Sequence, residues 1–119
     1  MDQPLNALRA AAFDLFNAAR RAEQYEVAYH ALAAALHAAE SLADPETCRV
    51  VEQYTDECRQ WIDIHAPAHK LSSRSAQARG HESIFRQLGV TAQSARLRIE
   101  SDLQKKQGRP EAPLNQAKK

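Results

Sequence analysis

Between Leu5 and His65 apolar residues recur at spacings of three and four, and only two short breaks interrupt the pattern. That period is the mark of helices that each bury one face. The spacing predicts a first helix over about 5–22, with Leu5, Leu8, Ala12, Leu15, Ala19 and Ala22 as its seam and Phe13 and Phe16 beside it. A second helix follows over about 25–43, on Tyr25, Ala28, Leu32, Ala35, Ala39 and Leu42, with a second row at Tyr29, Leu36 and Ala43. Asp44-Pro45-Glu46-Thr47 is a strong helix start. Asp accepts a backbone N–H, Pro suits the first helical position, and Glu complements the helix dipole. The third helix then carries Val51, Tyr54, Cys58, Trp61 and His65, and ends before Pro67, because proline pushes the preceding residue out of the helical region.

Short connections force neighbouring helices to run antiparallel. The expected fold is therefore all-α: an acidic antiparallel three-helix bundle over 1–66. A linker over 67–80, a basic C-terminal helical segment over 81–106 and a polar, disordered tail over 107–119 follow. The chain holds 119 residues with only three glycines, abundant alanine and no Asn-Gly or Asp-Gly hairpin signal, so no strands are expected. Gly89 lies inside the basic segment, and a mid-helix glycine costs about 1 kcal/mol. Two readings compete: one continuous helix with Ile84, Leu88, Ala92, Ala95, Ile99 and Leu103 as its stripe, and, favoured for the cost of the glycine, two pieces, the first ended by Gly89 and the second capped by Thr91.

A net charge of +1 conceals a division. Residues 1–69 carry five Arg against eleven Asp and Glu, and residues 70–119 carry eleven Lys and Arg against four acids, so the halves hold −6 and +7. Such a split fits either two parts with different partners or a basic segment lying on an acidic body. No apolar stretch of about 18 residues exists to span a membrane. Met1-Asp2-Gln3-Pro4 does not open like a signal peptide. Cys48 and Cys58 lie roughly 15 Å apart along one helix, beyond disulfide reach. Free thiols point to a reducing, cytoplasmic setting.

Catalytic and metal-binding patterns are sparse. Pro67 separates His65 from His69, His30 and His37 are about 10 Å apart along a helix, and no Glu-x-x-His occurs. Zinc needs about four converging ligands, so no metal is expected. No Gly-rich phosphate loop, Ser-His-Asp cue or paired-carboxylate signature is present. The reading is a non-catalytic protein without cofactor.

Three resemblances bear on function. Glu23-Gln24-Tyr25-Glu26-Val27-Ala28, followed by Leu32, Ala35 and Leu36, resembles the hairpin of a tetratricopeptide repeat. Phe16, Ala19 and Glu40 depart from that pattern, and only one unit is visible where a solenoid needs about three. Residues 5–65 are also similar to the three-helix microtubule-interacting-and-trafficking domains. Both resemblances imply a helical protein–protein interaction or adaptor domain. Ile84 to Arg98, with Leu88-Gly89-Val90-Thr91 as a turn, resembles a helix-turn-helix. It implies nucleic-acid binding through Arg86, Thr91, Gln93, Ser94, Arg96 and Arg98. Unless the C-terminal helix covers it, the doubled apolar row predicts a surplus apolar patch at Phe13, Phe16, Tyr29 and Leu36, with a protein partner or a homodimer covering it.

Overall fold

A computed structural model describes residues 2–108, and they are all-helical, with no strand among them. The elements are α1 (Gln3–Arg21), α2 (Tyr25–Leu42), α3 (Pro45–His65), α4 (Ser73–Ala78) and α5 (Ile84–Gly108). The expected 107–119 tail lies outside the described residues except for its first two positions, which still belong to α5.

The first three helices begin and end within a residue or two of the sequence reading. At α3 the cap is the one expected: Asp44 accepts from the Thr47 amide at 3.3 Å, and Pro45 opens the helix. The ends of α1 and α2 carry no comparable sequence signal. Each closes with a Schellman turn on a residue other than glycine. Glu23 and Ala43 take left-handed φ values of 57° and 53°. The Gln24 amide then reaches the Ala19 carbonyl at 2.8 Å, and the Asp44 amide reaches that of Ala39 at 2.9 Å. These closures reverse the chain in very few residues.

Helix α2 is central and packs against α1, α3 and α5. Its inner faces carry Ala28, Leu32, Ala35, Leu36 and Ala39, all buried. Alanine has no side chain beyond Cβ, so neighbours approach closely, and Phe16, Val51, Ile62 and Phe85 fill the remaining space.

Three expectations need correction. The segment over 81–106 is not appended to a finished bundle: Phe85, Leu88, Ala92, Ala95 and Ile99 of α5 complete the core against α3 and α2. From Ile84 onward it is one continuous helix, α5, with no break at Gly89. A Cβ at Gly89 would sit 2.8 Å from the Thr55 hydroxyl oxygen, so the glycine is a notch where α5 crosses α3. Thr91 caps nothing, and its hydroxyl donates back to the Gln87 carbonyl within the helix. Finally, the span over 67–80 is structured in part. Buried Ser72 caps α4 by accepting from the Ser75 amide at 3.0 Å. Asp63 holds the start of α4 through the Ser73 amide and hydroxyl at 2.8 and 2.7 Å.

Candidate interaction surface

The inward row of α1 is Ala12, Phe16 and Ala19. Phe16 is fully buried and stacks on Tyr54 with ring centroids 5.0 Å apart. Turning Phe16 inward leaves Leu8 and Leu15 outside, and they are 61% and 51% exposed. The α1 seam expected from sequence is therefore split. Ala12 and Ala19 face α2, whereas Leu8, Leu15 and Ala22 face away from the core.

Leu8 and Leu15 border an open groove of about 410 Å³. Leu5, Ala11 and Ala12 complete its α1 wall, and Ala34, His37, Ala38 and Ser41 line it from α2. None of these nine residues is Asp, Glu, Lys or Arg, in a chain where 26% of residues are. The exposed positions continue the same character. Leu8, Ala11, Leu15, Ala18 and Ala22 follow a three–four repeat along α1, and Val27, His30, Ala34, His37 and Ser41 follow one along α2.

The residues expected to meet a partner lie elsewhere. Phe16 and Leu36 are closed within the core, at 0% and 2% exposure. Phe13 and Tyr29 are half-buried and edge-on to Tyr54 and Phe85, at centroid distances of 6.1 and 5.9 Å. Periodicity marked the apolar rows of α1 and α2 but assigned the surplus to the wrong one. It could not show that phenylalanine would take the interior position and leucine the exterior one.

The α5 residues of the helix-turn-helix resemblance share a helix but not one free face. Half-buried Arg96 grips Glu52 at 2.5 Å and reaches Glu100 at 3.4 Å. Arg98 pairs with Glu40 at 3.1 Å, and Arg86 with Glu82 at 3.6 Å. Thr91, Gln93 and Ser94 are exposed. Lys70 meets Glu26 at 3.0 Å, so three cations of the basic half contact acids of the acidic half. The charge division is satisfied, at least in part, within the chain.

A second cavity of about 410 Å³ lies beside Asn17, Arg20, Tyr25, Cys58 and Trp61. Charged and aromatic side chains share its lining, and Arg20 there is held by Glu57 at 2.9 Å. Tyr25 and Trp61 stack at 5.5 Å, and Trp61 and His65 at 4.5 Å. Burial, reinforced by Glu23, raises the Tyr25 hydroxyl above its usual range. Burial also pushes both thiols up to about 11, with Glu40 adding to the effect at Cys48, while at Cys58 Arg20 works against it. Neither cysteine is bonded to another. Among the described residues no three His, Cys, Asp or Glu side chains converge as a metal site would need, and no helix is long and apolar enough to cross a membrane. No protein-family model, curated protein or solved structure matches this chain.

Proposed function

We propose that this chain is a non-catalytic helical protein-interaction module, of the adaptor kind, which receives its partner on the α1–α2 face. The observation that carries this reading is the uncharged groove with two half-exposed leucines on its rim. Leucine left in water forgoes roughly 1.5–3 kcal/mol of burial, and contiguous apolar surface of this kind marks contact sites. The up-down-up antiparallel order of the first three helices belongs to the reading. So does the tetratricopeptide-like hairpin, with Tyr25 at its turn and buried Ala28 at its close contact. Two unpaired thiols suit a reducing, cytoplasmic compartment.

Site-specific photocrosslinking tests the reading. A photoreactive residue at position 8 or 15 should give the same discrete protein adduct, and Ala34→Glu should abolish it. The same probe at position 90, on exposed Val90 of α5, should give none. Equal labelling from all three positions, or none from positions 8 and 15, contradicts it. A nucleic-acid adduct from position 94 alone would favour the alternative, duplex binding through residues 82–106.

A further inference from the structure

We propose that the occupant of the α1–α2 face is a second copy of this chain. The two hairpins pack face to face about a two-fold axis as a four-helix bundle. This rests on the interaction-module reading and names its partner.

Shape is the first argument. Leu8 and Leu15 protrude from α1 seven residues apart, and Ala34 and Ser41 form small positions on α2, also seven apart. Seven residues are two helical turns, about 10.5 Å, so the knobs of one copy match the hollows of the other. A two-fold contact is self-complementary: where residue i of one copy meets residue j of its partner, j also meets i. Knobs and hollows on the same face satisfy that condition in both directions at once. The three–four repeats exposed on both helices are the pattern that packs helices at about +20°, the geometry of most four-helix bundles.

Charge and area agree with this. The groove lining carries no Asp, Glu, Lys or Arg, so a copy of it brings no unpaired formal charge into the contact apart from any protonated histidine. Ala18 and Val27 extend the same two exposed rows toward the α1–α2 turn, so the rows run the length of the hairpin and a second hairpin can cover them in full. Helices of 19 and 18 residues present a face about 27 Å long and about 18 Å wide. Two copies would remove roughly 1,000 Å² from water, near the lower limit for a specific interface. The expected dissociation constant is accordingly on the order of micromolar.

Sedimentation equilibrium of the full chain from about 1 µM to about 500 µM, bracketing that constant, is the test. The mass should rise from the 13.3 kDa monomer to twice that value. Leu8→Glu with Leu15→Glu should stay monomeric throughout and keep the wild-type circular dichroism, since both side chains are on the surface. Ala34→Glu, which fills a hollow from the other helix, should do the same. Leu97→Glu, on the exposed side of α5, should still dimerise. A wild-type chain that stays at 13.3 kDa overturns the dimer. So does a dimer that survives both groove variants, or one lost with Leu97→Glu. If the pure chain is monomeric while position 8 crosslinks a different protein, the dimer fails and the interaction-module reading stands. With neither dimer nor adduct, both fail.

Discussion

Gly89→Ala should destabilise this protein, although alanine is the better helix former. The new Cβ would stand 2.8 Å from the Thr55 hydroxyl oxygen and 3.7 Å from the Thr55 Cβ. Thr55 has little room to yield. It is buried, its hydroxyl donates to the Glu52 carbonyl at 2.8 Å, and a β-branched side chain is stiff at χ1. Forcing a methyl into such a contact costs about 1–3 kcal/mol, against about 1 kcal/mol gained in helix propensity. The net loss should be about 1 kcal/mol. Thr55→Ala removes the clashing oxygen, and in that background Gly89→Ala should stabilise by about 1 kcal/mol, a coupling of roughly 2 kcal/mol between the sites. Urea titration followed at 222 nm gives the four free energies by linear extrapolation. Stabilisation in both backgrounds would refute the close α3–α5 crossing. Equal destabilisation in both would put Gly89 in a turn and refute the continuous helix.

Further outcomes follow from the same geometry. Burial works against ionisation of Asp44, but hydrogen bonds from Thr47 and the Arg9 guanidinium at 2.6 Å outweigh it and hold the carboxyl below its usual value. Asp44 therefore adds stability above the unfolded value of about 3.9, and that contribution is lost as pH falls through the lower folded value. Asp44→Ala should cost about 1 kcal/mol at neutral pH, and the gap to wild type in urea titrations should close below about pH 4. Ala43→Gly should raise the urea midpoint, since a left-handed Ala costs about 1 kcal/mol that glycine does not. With thiols raised to about 11, only roughly one in a thousand is ionised at pH 8. Ellman's reagent should leave Cys48 and Cys58 unmodified in the native protein and react with both promptly in urea.

Helix positions were legible because they rest on local signals. The Asp44-Pro45 start, the stop before Pro67 and the three–four period each act within one or two turns. What sequence concealed depends on neighbours. Glu23 and Ala43 close helices without the usual glycine, because backbone bonds to Ala19 and Ala39 hold them there. Gly89 looks like a helix breaker until Thr55, 34 residues earlier in the chain, is placed against it. Leu8 and Leu15 have the right spacing for a core, yet Phe16 fills that position with more buried area on the adjoining row. The charge division left a docked segment and an independent one equally open. The pairing of Arg96 with Glu52 and Arg98 with Glu40 shows the first arrangement.

In this fold α5 closes one side of the bundle and leaves the α1–α2 face as its free apolar side. Paramagnetic relaxation of leucine methyls by a soluble gadolinium chelate tests both points in one spectrum, because the effect falls steeply with distance from solvent. In dilute protein, Leu8, Leu15 and Leu97 should relax strongly, and Leu32, Leu36 and Leu88 should be shielded. As the protein is concentrated, the groove leucines Leu5, Leu8 and Leu15 should become more shielded while Leu97 stays accessible. Strong relaxation of Leu88 would mean that α5 is undocked, and shielding of Leu8 and Leu15 in the dilute monomer would mean that this face is already closed. Either result would refute this arrangement of α5 and the α1–α2 face.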